Sequence, residues 1–142
     1  MLHLEKLLAE EHSKQQCDRI VKYIGKDKLR FAGLITPYFK PLLDNLDKKG
    51  LHVAVVRNTI RLLQDVDIPE KYHGRVMSRC FEYVATPGSP IAVKAFSLTV
   101  LQNLSQKYPD ILPELKLLIE EQWNQAPPAF RSRARRILKL QI

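Results

Sequence analysis

The chain has 142 residues, 45% of them apolar and 27% charged, which is the composition of one globular domain. Disordered, collagenous and low-complexity classes are excluded. No apolar run approaches the roughly 18 residues that a membrane-spanning helix needs, and Met1-Leu2-His3-Leu4-Glu5-Lys6 meets an acid too early for a secretory signal. Two cysteines, Cys17 and Cys80, are too few for a disulfide framework, so a reducing, cytoplasmic setting is expected.

The formal net charge is +8, from 23 basic and 15 acidic residues. Residues 122–142 hold Arg131, Arg133, Arg135, Arg136 and Lys139 and no acid, which leaves residues 1–121 only +3. A basic tail on a nearly balanced body points to a local anionic contact with nucleic acid, an acidic protein face or a lipid headgroup. The competing reading is a terminal helix kept soluble by its charge, and this is the one the modest charge favours.

Taken in chain order, Leu2, Leu4, Leu7 and Leu8 predict a helix over 2–12. Gly25-Lys26-Asp27 interrupts the next stretch, and Asp27 suits a helix cap better than a helix interior. Two short helices, 14–24 and 28–34, are therefore expected. From Pro37 onward the punctuation is regular. Gly50, Pro69, Pro87-Gly88-Ser89-Pro90, Pro109 and Pro127-Pro128 fall at steps of 18 or 19 residues.

Between these marks apolar residues recur at three and four. The stripes are Val55, Val56, Thr59, Leu62, Leu63 and Val66 in 53–66, then Tyr72, Val76, Met77, Cys80, Phe81 and Val84 in 72–84. Val93, Phe96, Val100, Leu101 and Leu104 come next in 91–104, and Ile111, Leu115, Leu118 and Ile119 in 111–122. Ser89 is expected to cap a helix starting at Pro90, and Pro69, Pro109 and Pro128 to open others, because the missing N–H costs nothing there. Gly50 is expected to end a helix at Asp47-Lys48-Lys49, with Leu51 folding back. No hairpin signal separates alternating runs, so no strand is expected.

Two steps make a period near 38. Val55, Thr59, Leu62-Leu63 and Val66 align with Val93, Ser97, Val100-Leu101 and Leu104 at offset 38. Lys94, Ser97 and Val100-Leu101 align with Arg131, Ala134 and Ile137-Leu138 at offset 37. Pro37-Tyr38-Phe39-Lys40-Pro41-Leu42-Leu43 aligns with Pro109-Asp110-Ile111-Leu112-Pro113-Glu114-Leu115 at offset 72. A small residue in mid-helix lets a neighbouring helix come close. Each helix pair then buries its apolar face only by stacking on the next.

On these residues the chain resembles the HEAT-repeat class of α-solenoids, best over 51–142. Arg57-Asn58-Thr59, Ala95-Phe96-Ser97 and Ala129 to Arg135 are more narrowly similar to a family of small uncharacterised bacterial HEAT-like proteins, which brings no catalytic residues with it. The resemblance implies an all-α, right-handed α-α superhelix of the HEAT/armadillo type. It would hold about three helix pairs, an N-terminal capping helix and an unpaired C-terminal helix. One domain over 1–142 is expected, with 1–36 an irregular cap and 37–142 regular repeats. A fraying arm is the competing reading of 2–12.

Reactive motifs are scarce. Phosphate-cradling loops and nucleophile elbows are absent from the sequence. His3, His12, His52 and His73 lie in no metal-ligand spacing with each other or with Cys17 and Cys80, so no metal and no cofactor are expected. Cys80 lies on an apolar stripe and is expected in the core. Cys17 stands near Arg19 and Lys22, which would lower its pKa, but an ordinary helix-face thiol is the favoured reading. Glu120 and Glu121 point about 100° apart on a helix, so they do not converge on one atom. Trp123 is expected to plug the space between the last two helices, with an exposed stacking platform as the alternative.

Two basic sets remain. Arg131 and Arg135 share a face of the last helix, with Arg136 and Lys139 on the adjacent strip and Phe130, Ala134, Ile137 and Leu138 turned to the core. Arg57, Arg61 and Lys94 occupy the matching first helices of earlier repeats. Together these seven cations are the candidate binding residues. The favoured function is a non-enzymatic helical-repeat module that binds a protein partner along an extended surface. The alternative is DNA binding through a basic strip, by analogy with HEAT-like DNA-alkylation-repair proteins. An unrecognised enzyme is the third reading, disfavoured because thin solenoids rarely enclose a deep pocket. The last helix lacks a pair, which predicts a homodimer through the C-terminal end.

Overall fold

The structure is a computed structural model and describes residues 39–48 and 52–141. The expectations for 2–12, 14–24, 28–34, Cys17, His3, His12, Pro37, Gly50 and Leu51 lie outside the described residues. Six α-helices and three short 3-10 turns, and no strand, occur among the described residues. We number the helices α1 (Phe39–Leu46), α2 (Val53–Leu63), α3 (His73–Ala85), α4 (Ile91–Ser105), α5 (Leu112–Gln122) and α6 (Pro128–Leu138). None of them is long and apolar enough to cross a membrane. The chain divides into two compact units, Met1–Tyr72 and His73–Ile142.

In the first unit, α1 buries Phe39, Leu42, Leu43 and Leu46 on one face. Phe39 stacks on Tyr72, with ring centroids 6.0 Å apart and planes 18° apart. Pro41 sits in the first turn, where its missing N–H breaks no helical bond. The exposed Lys40–Asp44 pair at 3.1 Å adds little, because water screens it. His52 starts α2 by accepting the Ala54 N–H on Nδ1 at 3.0 Å. This unpaired donor is the one a helix start leaves open. The helix ends at Leu63, three residues short of the expected end, and Val66 is only half-buried beyond it. Gln64 Nε2 and the Asp65 N–H donate to the carbonyls of Arg61 and Leu62 and tighten the last turn. Pro69 also turns the chain before it away from helical conformation.

In the second unit, α4 packs against both α3 and α6, while α5 packs against α6 and α3. This is the side-by-side stacking in two layers that the 37- to 38-residue period requires. α4 buries a broad face: Val93, Ala95, Ser97, Leu98, Val100 and Leu101 are all 2% exposed or less, while Ala92, Phe96, Thr99 and Asn103 share a part-exposed strip. The single expected stripe understated it. Leu98 and Ala95 are buried, and Phe96 is only half-buried. A face this broad needs more than one neighbour to cover it. In α5, Leu112 takes the buried place expected of Ile111, and in α3 only Val76, Cys80 and Val84 are fully enclosed.

Helix starts follow the prolines to within a few residues. Pro128 is the first residue of α6, and Pro109 opens a 3-10 turn that leads into α5. Pro69 precedes a 3-10 turn, Glu70–Tyr72, and α3 begins only at His73. Ser89 does not cap α4. Pro90 itself holds the extended capping conformation, at φ −56° and ψ 144°, so the helix starts at Ile91 and Ser89 stands one residue too early. The Ser89 N–H instead closes a turn onto the Thr86 carbonyl.

Burial repeats with the sequence. Thr59, Ser97 and Ala134 occupy equivalent mid-helix positions and are 3%, 0% and 0% exposed. Val55, Val93 and Phe130 are likewise all buried. Ser97 Oγ makes no hydrogen bond of ordinary geometry, although it lies beside the Cys80 sulfur closely enough to ease that thiol's shift a little. Its small volume, not its hydroxyl, is what the position uses. Ser97→Ala is therefore expected to leave thermal stability unchanged or slightly raised. Ser97→Leu should cost about 1–3 kcal/mol by overpacking, read from urea midpoints. Equal losses in the two variants would show that the hydroxyl matters.

Cys80 is fully enclosed, and burial pushes its thiol from 9.0 up to about 12. The native state therefore holds this proton after the unfolded chain has lost it, so folding stability falls as pH rises from about 9 towards about 12. In a Cys17→Ser background, Cys80 should resist iodoacetamide at pH 8 and react fully in denaturant. Fast native labelling would contradict its enclosure.

Candidate functional site

The basic residues in the described chain divide into those spent inside the fold and those left outward. Lys94, in the first turn of α4, donates from Nζ to Gln122 Oε1 at 2.8 Å. Gln122, the last residue of α5, donates from Nε2 to the Val84 carbonyl at 2.8 Å. One side-chain amide thus ties the start of α4 to the ends of α5 and α3. Partial burial lowers the Lys94 ammonium below its usual range, because the charged form loses water there.

Arg131, in the first turn of α6, is also engaged. Its Nε and Nη2 donate to the Trp123 carbonyl at 3.1 and 2.8 Å, and Nη2 reaches the Asn124 carbonyl at 3.3 Å. These carbonyls belong to the 3-10 turn Trp123–Gln125 that follows α5. A cation there meets groups that a helix end leaves unpaired. The same guanidinium lies over the Trp123 ring, 5.4 Å from its centroid, and that of Arg135 lies 5.6 Å from the same centroid. Such contacts contribute roughly 0.5–2 kcal/mol depending on exposure. Trp123 is half-buried, so it is neither a simple plug nor a free platform: its ring seats two arginines of its own chain.

Arg133 falls outside the seven cations expected from the sequence. Its Nη1 donates to Thr99 Oγ1 at 2.6 Å and its guanidinium lies 5.0 Å from the Phe96 ring centroid, bridging α6 to α4. Burial lowers its pKa, and the nearby Arg136 lowers it further. The Arg131–Arg135 spacing together with the preceding Trp123 was a usable signal for the stacked ring. Gln122 gave none, since its partners lie 28 and 38 residues away.

The remaining candidates face outward to different degrees. Arg135, Arg136 and Lys139 are exposed on α6 and at its end, beyond the core-facing Phe130, Ala134 and Ile137, while Leu138 is only half-buried. In the other unit, Arg61 is exposed on α2 and Arg57 is half-buried. Lys116 Nζ of α5 donates to the Leu140 carbonyl and pins the segment after α6. Glu120 and Glu121 are both exposed. His73 Nδ1 is 3.0 Å from the Tyr108 hydroxyl, with the rings edge to face. Among the described residues, no group of three or more His, Cys, Asp or Glu side chains gathers around a possible metal position.

No curated protein and no solved structure matches the chain. Residues 39–141 match the family model described as the HEAT repeat domain, a range that includes all six described helices. With nearly three quarters of its length inside that match, and with the buried positions repeating at the same period, the chain belongs to the HEAT-repeat family.

Proposed function

We propose that this chain is a non-enzymatic interaction module that binds an acidic face of a protein partner along its helical surface. The observation that carries the reading is the outward strip Arg135, Arg136 and Lys139 on α6, in a segment, 122–142, that contains no acid. Lys94 and Arg131 already serve the fold, so their part in binding would be to hold the frame, with Lys94 available at its edge. Arg57 and Arg61, on the other unit, are separate candidates. A rigid frame favours this role, because little side-chain or backbone freedom is lost on association. A free, fully enclosed thiol at Cys80 also suits the reducing, cytoplasmic setting proposed for the chain.

Nucleic acid is the competing partner. The one aromatic ring beside the strip, Trp123, is occupied by Arg131 and Arg135, which leaves no stacking platform for bases there. The test pairs Arg136→Glu with Lys139→Glu. Affinity purification with the intact chain should yield a partner that rebinds in purified form. The double variant should lose at least about tenfold in affinity, with an unchanged melting temperature. Duplex DNA should bind weakly and non-specifically in anisotropy titrations. Tight duplex binding whose affinity falls steeply with salt, together with no effect of the double variant on protein capture, would move the function to nucleic acid.

A further inference from the structure

A cavity of about 520 Å³ opens between the loop joining α3 to α4 and the loop joining α5 to α6. Its walls are chiefly apolar: Ala85, Pro87, Ile91, Ala126, Pro127 and Phe130. Lys94 is the only charged residue that lines it, with Gln122 beside it. Volume and lining both fall in the range of ligand-binding clefts, which are mostly apolar with a few placed polar groups. Ile91 lines the cleft and is 54% exposed, so its side chain is open to an arriving molecule.

The charge in this cleft is unbalanced. The hydrogen-bond partner of the Lys94 ammonium is the neutral Gln122 Oε1. Neither the Lys40–Asp44 nor the Arg79–Glu82 ion pair involves it. Both chain segments that build the cleft are free of acid: no Asp or Glu occurs from Tyr83 to Pro109 or from Gln122 to Ile142. Partial burial already lowers the Lys94 pKa, so an arriving anion would meet a cation that has given up part of its water. The position of that cation is set in advance, since Gln122 is itself held by the Val84 carbonyl. Proline in both rims, at Pro87 and Pro127, fixes the walls before anything binds.

We infer that this cleft is a docking site for a short segment of a protein partner in which a carboxylate side chain reaches Lys94 while flanking aliphatic or aromatic side chains fill the space between Ile91 and Phe130. The inference rests on the reading of the chain as a protein-binding module and names a subsite within it. It is separate from the α6 strip, since Arg135, Arg136 and Lys139 do not line the cleft. Lys94 supplies a charge-assisted hydrogen bond, and the apolar walls supply the non-directional part of the affinity.

The test is a library of random heptapeptides displayed on phage and panned on the full chain, followed by anisotropy titrations with labelled synthetic copies of the selected peptides. Selected peptides should carry Asp or Glu next to aliphatic or aromatic residues. Changing that acid to its amide, or Lys94→Gln, should each weaken binding about tenfold or more. Doing both should cost little beyond either alone. Ile91→Asp should abolish binding, and because Ile91 is exposed that variant should melt like the parent. Lys94→Glu should restore binding to a peptide in which lysine replaces the acid. Selected peptides that lack an acid, or titrations that Lys94→Gln and Ile91→Asp leave unchanged, overturn the cleft assignment but leave the module reading intact. A library that yields no peptide above background also overturns it, while the purified-partner experiment on α6 still decides the broader function.

Discussion

A broad apolar helix face is stable in water only when several neighbours cover it, and α4 imposes this condition on the second unit. Val93, Leu98, Val100 and Leu101 spread over nearly half of its circumference and are all buried, while Phe96 and Thr99 lie half-exposed on the other side. α3 and α6 supply the enclosure, and α5 closes the layer against α6 and α3. The close approach depends on the small side chain at Ser97 and, on the facing repeat, at Ala134. Each is flanked by aliphatics that fill the remaining volume, which is how interiors reach crystal-like density. No pair of helices here could bury these residues alone, so repetition is the condition of stability.

Polar chemistry is used in this fold mainly to tie helix ends together. Gln122 joins three helices through two hydrogen bonds, and Arg131 closes the turn after α5 by taking up its carbonyls. Arg133 crosses from α6 to Thr99 and covers Phe96, using its long stem as apolar surface and its head as a donor. These side chains do for the loops what the aliphatics do for the helices. Three of the cations near the C-terminus are therefore structural at least in part: Arg131, Arg133 and, through its stacking on Trp123, Arg135.

This division changes what the net charge of +8 means. A basic tail read as a uniform electrostatic patch separates into engaged guanidiniums and an outward strip. The strip is narrow, and under the proposed reading a narrow cationic edge and a separate, partly apolar cleft suit an acidic, partly apolar partner better than the regular phosphate spacing of a duplex. The electrostatic part would steer association and select partners, and the apolar part would carry affinity.

The sequence by itself determined the fold class, the helix positions from 53 onward to within a few residues, and the equivalence of Thr59, Ser97 and Ala134. Period and punctuation are local properties: a 3.6-residue stripe and a proline at a helix start act through bonds within a turn or two of the chain. It also placed Cys80 in the core, since an apolar stripe already contains that information. It drew the buried face of α4 too narrow and placed Phe96 in it, because how much of a helix is covered depends on how many neighbours arrive. It missed Gln122 and Arg133, and it gave Trp123 two alternative uses, of which the half-buried ring fulfils neither outright because it seats Arg131 and Arg135. Those outcomes depend on residues 8 to 38 positions apart meeting in space. Only tertiary packing could decide them, because a long polar side chain reaches several partners from one backbone position and the packed neighbours select which one it meets.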